Sequence, residues 1–150
     1  MSDLPIDARP EVVFRLLTDP VEILKWQGLD VELDARPGGV YRCVMNALGH
    51  TVLGEYIEVT PHSRIVFTWG WERGAFDIPA GSTTVEFTLT PVERGTRLHL
   101  LHRGLPARTE IVESHTMGWT RYLDRLAIVA AGRDPGPDDW AAGGMGGTHA

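Results

Sequence analysis

The chain has 150 residues, of which 43% are hydrophobic and 23% are charged, and its formal net charge is −6. These proportions are typical of a single globular domain and argue against disorder along the whole length. Lys25 is the only lysine and the arginines are scattered, so we expect no nucleic-acid partner and no anionic membrane partner, since both need clustered positive charge.

Two short helices are predicted near the N-terminus. Pro10 and Glu11 follow a short polar segment, and a helix accepts proline in its first turn and favours an acid at the positive end of its dipole. The first helix is expected to end near Asp19, because Pro20 interrupts its hydrogen bonding. A second short helix is expected from residue 21 to about Trp26.

Residues 29–102 predict a series of strands. Apolar and polar residues alternate there with a period of two, which is typical of strands that bury one face. Turn residues separate the runs at 36–39, 47–50 and 93–95, so the sequence predicts an antiparallel meander of six to seven strands. The side chains predicted to share the buried face are Tyr41, Cys43, Met45, Ile65, Phe67, Trp69, Trp71, Val85, Phe87, Leu89, Leu98, Leu100 and His102.

A long helix is predicted from about residue 108 to 131, where apolar side chains recur every three or four residues. Such a helix would be roughly 36 Å long at 1.5 Å per residue, enough to cross the sheet. Its predicted buried stripe consists of Val112, Thr116, Trp119, Leu123, Leu126 and Ala130. Residues 133–150 are rich in glycine and proline and are predicted to form a flexible tail, with Trp140 as a candidate anchor. The folded domain is therefore expected to cover residues 1–132.

The cysteine content and the N-terminus bear on the compartment. Cys43 is the only cysteine, so no internal disulfide can form. The first ten residues show no basic segment followed by an apolar core, and no stretch approaches the ~20 apolar residues that span a bilayer. We therefore expect a cytoplasmic protein without a membrane partner.

An ordered set of short motifs resembles one known superfamily. The motifs are IDARPEVVF (6–14), LTDP (17–20), RPGGVY (36–41), VTP (59–61), RIVFTW (64–69), GTRL (95–98), HRGL (102–105) and LDRL (123–126), with Trp26, Gly28, Gly118 and Trp119. Their order resembles the helix-grip domains of the START/birch-allergen/polyketide-cyclase (SRPBCC) superfamily. Within it, the chain resembles the family named after the C-terminal domain of the activator of the 90-kDa heat-shock protein ATPase. The resemblance covers about residues 4–132 and implies an α+β helix-grip fold, in which a curved antiparallel sheet wraps around the long C-terminal helix.

Two features depart from the family pattern. Few residues precede the first helix, and Pro5 removes a ladder donor, so the first strand is expected to be short, irregular or at a sheet edge. Gln27 stands where the family often has a second aromatic residue, and its amide either lies near a cavity mouth or faces water.

The resemblance implies a space between the sheet and the long helix, which side chains either fill or leave open. Its predicted lining is mostly apolar with a few polar tips, as in many ligand cavities, and its aromatic rings offer stacking area. The same residues are also compatible with an ordinary core, and both interpretations stay open here. The candidate ligand-binding residues are Trp26, Tyr41, Cys43, Met45, Phe67, Trp69, Trp71, Phe76, Phe87, His102, Trp119 and Leu123.

Few residues are candidates for catalysis or metal binding. His102 is either a polar contact or base at the cavity, or a structural histidine. Cys43 is predicted to be a buried apolar residue, since a nucleophilic thiol needs a base. His99 and His102 project to opposite faces of a strand, and no cysteine or acidic cluster completes a zinc shell. No phosphate loop or nucleophile elbow is present. We predict no catalytic residue, no metal and no cofactor, and we expect His115 at the cavity entrance, on the surface or in a helix-capping role.

Three functions are compatible with these features. The first is binding of an apolar small molecule by a carrier, sensor or sequestering protein. The second is a cyclase, isomerase or hydrolase for polyketide-like substrates, with His102, Tyr41 or Tyr56 as polar participants. The third is a chaperone-regulating module, but the eukaryotic activators have a separate N-terminal domain that this sequence lacks, so we do not expect a chaperone partner. Ile128 and Val129 lie off the main helix stripe and are candidate homodimer contacts.

Overall fold

The computed structural model describes residues 2–143, and it confirms the α+β helix-grip fold with its curved antiparallel sheet. In this part of the chain seven strands form one sheet in the order β1-β7-β6-β5-β4-β3-β2. Consecutive strands are neighbours from β2 to β7, so the sheet is a meander whose last strand also pairs with the first. The strands are β1 (Ser2–Ile6), β2 (Asp30–Leu33), β3 (Val40–Val44), β4 (Thr51–Thr60), β5 (Arg64–Trp69), β6 (Thr83–Val92) and β7 (Gly95–Arg103).

The second helix has a side-chain cap at its N-terminus. Asp19 follows the first helix and caps the second, because its Oδ1 accepts hydrogen bonds from the backbone N–H of Val21 (2.8 Å) and Glu22 (3.1 Å). The helices are α1 (Pro10–Thr18), α2 (Pro20–Ile23), a 3-10 helix (Glu72–Asp77), α3 (Thr109–Ala130) and α4 (Asp139–Gly143). The second helix is shorter than predicted. Within residues 2–143, none of these helices combines the length and apolarity needed to cross a bilayer.

The first strand lies at a sheet edge, as Pro5 predicts. β1 pairs with β7 alone, and Pro5 stands opposite Arg97. Proline has no N–H to donate to a neighbouring strand. At a sheet edge this missing donor leaves no carbonyl of a second neighbouring strand unpaired. Ile6, the next residue and the last of the strand, is buried in the core.

The register between β4 and β5 shifts between Tyr56 and Glu58. Such a bulge turns successive side chains differently from regular alternation. Tyr56 is buried, and Val59 packs against the same core although regular alternation would place it on the opposite face. A period of two therefore cannot predict which side chains after the bulge share a face with those before it.

The buried face of α3 differs from the predicted stripe in its first half. Val112 and Thr116 are exposed, and His115 and Gly118 are buried in their place. A polar ring and a glycine carry no apolar signal, so their burial is not visible in the hydrophobic pattern. The buried residues of α3 are Ile111, His115, Gly118, Trp119, Tyr122, Leu123 and Leu126.

Residues 133–143, which we call the C-terminal strap, run back along α3. The Arg125 guanidinium donates to the backbone carbonyls of Pro135, Gly136 and Pro137. The Trp140 ring lies against Tyr122, with their centroids 6.3 Å apart. The strap belongs to the segment that the sequence predicts to be a flexible tail; residues 144–150 of that segment lie outside the described residues.

Candidate functional site

The sheet brings a cluster of aromatic rings towards α3. Trp69, at the end of β5, lies 5.1 Å from Trp119 of α3 and 5.8 Å, edge to face, from Trp71, measured between ring centroids. Tyr41 of β3 stacks on Phe67 of β5 at 4.1 Å. Offset and edge-to-face contacts of this kind stabilise the fold beyond the buried area alone, and the cluster forms an interior aromatic wall.

The predicted ligand-binding residues lie at or near this wall. Trp26, Tyr41, Cys43, Met45, Phe67, Trp69, Trp71, Phe87, Trp119 and Leu123 are buried, whereas Phe76 and His102 are partly buried. The burial of the strand residues agrees with the predicted alternation. It is compatible with ligand contact and with core packing, so other observations must distinguish the two.

Trp26 and Phe76 are two of the nine predicted residues that do not line the small cavity between the sheet and α3. Trp26 follows α2, and its Nε1 donates to the backbone carbonyl of Leu16 in α1 at 2.7 Å. Phe76 lies in the 3-10 helix and packs edge to face on Trp71 and His50, with centroid distances of 4.7 Å and 4.9 Å. Trp26 therefore joins the segment after α2 to α1, and Phe76 packs on the outer side of the cluster at Trp71.

One small cavity lies between the sheet and α3. Its volume is about 20 Å³, which holds about one water molecule. Three predicted residues line it, namely Met45, Trp69 and Trp119. The other lining residues are Gln27, His115, Gly118 and Tyr122. For Gln27 and His115, a position at the cavity was one of the alternatives that the sequence left open. Gly118 and Tyr122 were not predicted to line it.

The ring of His102 is held by hydrogen bonds at both nitrogens. Trp119 Nε1 donates to His102 Nδ1 at 3.0 Å, so Nδ1 carries no proton. His102 Nε2 therefore carries the proton of the neutral ring and donates to Thr83 Oγ1 at 2.8 Å. The Thr83 hydroxyl in turn donates to the backbone carbonyl of Trp69. Burial, with nearby His115 as the second cause, lowers the pKa of His102 to about 3. This geometry is that of a neutral structural histidine.

We expect His102 to make the protein less stable in acid, by about 2 kcal/mol in the free energy of unfolding between about pH 7 and pH 5. The unfolded chain protonates this imidazole near its ordinary pKa of 6.5, whereas the folded chain keeps it neutral to about pH 3. Unfolding therefore takes up a proton in this window, and stability rises with pH. Urea unfolding across this window should show a smaller pH dependence for His102→Gln than for the wild-type chain. Identical pH dependence in the two proteins would contradict a neutral His102.

His115 connects α3 to the aromatic cluster. Trp71 Nε1 donates to His115 Nε2 at 3.2 Å, and His115 Nδ1 lies 3.0 Å from the backbone carbonyl of Ile111. Because Nε2 accepts, Nδ1 carries the proton and donates to that carbonyl. The two histidines thus hold two of the three clustered indoles, Trp71 and Trp119.

The third indole, that of Trp69, is not hydrogen-bonded to a histidine within residues 2–143. Trp69 Nε1 is buried and has no hydrogen-bond partner within the part of the chain that the structure describes. Nearby, the buried Gln27 side chain donates from Nε2 to the Tyr41 hydroxyl at 3.0 Å. Burial raises the pKa of Tyr41 well above its ordinary value, so this hydroxyl stays protonated. The cavity thus combines an apolar aromatic wall with an unpaired donor and an amide.

Cys43 is buried next to Met45, one of the cavity's lining residues, with its Sγ 3.4 Å from Met45 Sδ. Burial raises the pKa of the thiol to about 12. The thiolate is therefore not populated near neutral pH, which agrees with its interpretation as a small apolar residue. Among residues 2–143, no group of three or more histidine, cysteine, aspartate or glutamate side chains is arranged to hold a metal ion.

The motifs and the fold can now be compared with known proteins. The sequence profile of the family described as "Activator of Hsp90 ATPase homolog 1-like protein" matches residues 7–131. The chain belongs to this AHSA1-like family. The match confirms the resemblance found in the motifs, and it spans strands β2 to β7 and α3. No curated protein matches the chain.

Solved structures of similar proteins extend this assignment. An AHSA1-like protein from Rhizobium etli is 40% identical, with a TM-score of 0.72 over 91% of this chain and 84% of that chain. A protein from Chromobacterium violaceum is 30% identical, with a TM-score of 0.76 over 91% of this chain and 96% of that chain. The Aha1 dimer from Colwellia psychrerythraea is 20% identical, with a TM-score of 0.72 over 87% and 93% of the two chains, and shares the fold.

Proposed function

We propose that this AHSA1-like protein binds an apolar or aromatic small molecule between the concave sheet face and α3. The observation that supports this most is the state of Trp69. Its ring lines the internal cavity, and its buried indole N–H lacks a partner within residues 2–143. Leaving a buried donor unpaired costs about 1–3 kcal/mol, which an acceptor atom on a ligand would recover.

The ligand must make its own space, because the cavity holds only about one water molecule. Met45 is the most adaptable lining residue, since its unbranched thioether can adopt many rotamers. Rotation of Met45 and Gln27 would widen the space in front of the Trp69 and Trp119 rings. Such a space suits a planar, mostly apolar molecule with one hydrogen-bond acceptor.

The enzymatic alternative receives less support from the polar groups. A general base needs a free lone pair and a pKa near the working pH. Both nitrogens of His102 are hydrogen-bonded, and its pKa is about 3. Burial raises the pKa values of Tyr41 and Tyr56, so these hydroxyls can donate to a ligand but do not act as bases. Binding is therefore the better-supported function.

The homodimer contact and the chaperone-regulating alternative, for which the sequence predicts no partner, stay proposals of lower rank. The chaperone-regulating alternative draws on the name of the family, which describes other members. The predicted homodimer contact includes Ile128, which is 37% exposed on α3. Neither alternative explains the unpaired indole of Trp69.

Native mass spectrometry of the freshly purified chain is expected to reveal a bound apolar molecule. Calorimetric titration with 1-naphthol, a small aromatic probe with one oxygen, should detect binding that Trp69→Phe weakens about fivefold to tenfold, the effect of one neutral hydrogen bond. Trp26→Phe is the matched control, because its indole N–H donates to Leu16 outside the cavity. The proposal fails if no molecule co-purifies and neither 1-naphthol nor a panel of aromatic and lipid compounds binds.

A further inference from the structure

The C-terminal strap is attached to α3 through one arginine. Arg125 Nη1 donates to the Gly136 carbonyl at 2.9 Å and to the carbonyls of Pro135 and Pro137 at 3.4 Å. Its Nε donates to the Trp26 carbonyl at 3.0 Å. A single guanidinium therefore joins the strap to the loop that follows α2.

A second attachment is centred on Asp138. The Tyr122 hydroxyl donates to Asp138 Oδ2 at 2.8 Å, and Arg121 Nη2 lies 3.3 Å from Oδ1. The same Oδ1 accepts hydrogen bonds from the backbone N–H groups of Trp140 and Ala141, in the first turn of α4. One carboxylate therefore caps the short helix and holds it to α3.

At its far end the strap reaches the turn between β3 and β4. The Ala47 N–H donates to the Ala141 carbonyl at 2.7 Å, and Ala141 is buried. The strap thus crosses from α3 to the sheet. It bridges the two layers between which the internal cavity lies.

The strap also lies next to two of the cavity's lining residues. Gln27 lines both the cavity and a surface pocket of about 330 Å³, whose other lining residues include Arg125, Asp138 and Ala141. Gly118 lines the cavity from α3, and a Cβ added there would lie 3.9 Å from Trp140 Cζ3. Gln27 and Gly118 are therefore the lining residues at which the strap comes near the cavity.

We infer that the C-terminal strap is an intrachain lid, which closes the mouth of the cavity between Gln27 and Gly118 and opens to admit the ligand. The inference rests on the proposed function for the role of the space that the lid covers. Its opening can be measured without any ligand, so it is testable even if the proposed function fails.

The attachments of the strap suit a lid better than a permanent part of the core. They are mostly polar, and the bonds of Arg125 to Gly136 and Pro137 are exposed to water. Trp140 is only partly buried, with the Arg121 guanidinium 5.2 Å from its ring centroid. Segments with exposed hydrogen bonds and few buried apolar contacts open at lower free energy than the strands of a sheet. The strap is therefore expected to detach while the sheet and α3 stay folded.

The direct test places a thiol under the strap by Gly118→Cys, since a Cβ at this position makes only ordinary van der Waals contact, with Trp140. Modification of this thiol by an aromatic disulfide reagent should become about tenfold faster when Asp138→Asn is added, since that change removes the charged acceptor of Tyr122 and Arg121. Asp139→Asn is the matched control: it changes the same charge one residue away, at an exposed position, and should leave the rate unchanged. The wild-type chain, whose one cysteine is the buried Cys43, gives the background rate of modification.

A second measurement uses no introduced cysteine. Hydrogen exchange at the Ala47 amide should be about tenfold faster in Asp138→Asn than in Asp139→Asn, because its partner Ala141 leaves with the strap, whereas exchange in β6 and β7 should not change. Urea unfolding of the same proteins gives their global stability. Equal rates in the two aspartate variants, or an acceleration that only matches a loss of global stability, would overturn the lid.

Discussion

Gly70→Ala is expected to lower the free energy of unfolding by about 3 kcal/mol or more. A Cβ at Gly70 would lie 1.8 Å from the Pro79 carbonyl oxygen and 2.5 Å from its carbon. Both are backbone atoms, so relief requires the chain to move rather than a side chain to rotate. Gly70 lies between Trp69 and Trp71, and the movement would displace both indoles from the aromatic cluster.

Gly118→Ala is the control for this prediction. A Cβ there meets only Trp140 Cζ3 at 3.9 Å, and alanine favours a helix over glycine by about 0.5–1 kcal/mol. Urea unfolding followed by tryptophan fluorescence and by circular dichroism should therefore separate the two variants clearly. A Gly70→Ala protein as stable as Gly118→Ala would show that the approach of Pro79 to Gly70 is not as close as described.

Trp71→Phe is expected to cost about 2 kcal/mol more in unfolding free energy than Trp69→Phe. Both changes remove a similar volume from buried rings. Trp71 is fully buried and donates its N–H to His115, so its replacement also breaks a buried hydrogen bond. The Trp69 N–H has no partner within the described residues, so its replacement removes a donor that was already costly.

The comparison needs only equilibrium unfolding in urea at neutral pH, because the two substitutions are chemically identical. The same proteins serve the binding test, since Trp69→Phe should lose less stability than Trp71→Phe while losing affinity for 1-naphthol. Equal costs for the two variants would mean that the Trp71–His115 hydrogen bond contributes little, or that Trp69 finds a partner in solution.

The strand assignments could be predicted because alternation depends on neighbours in the chain. Tyr41, Cys43 and Met45 were predicted on one face of β3 and its extension, and all three are buried. The same argument fails for Val59, which packs against the same core as Tyr56 because the register shifts between Tyr56 and Glu58. Only the pairing of β4 with β5 decides the direction of those side chains.

The candidate site was less predictable than the fold. The predicted stripe of α3 includes Val112 and Thr116, which are exposed, and omits His115, which is buried. A histidine is buried at this position because Trp71, 44 residues earlier in the chain, donates to it. No local pattern carries that information.

The sequence by itself determined the order of the elements, the family and most of the inward-facing side chains, since each depends on short motifs or on period. Tertiary structure alone decided which of those side chains meet at one cavity, how both nitrogens of His102 are engaged, and which indole is left unpaired. The physical reason is that hydrogen bonds and cavity walls join residues far apart in the chain. Gln27, Trp69 and Tyr122 line one space, and only the packed sheet and helix bring them together.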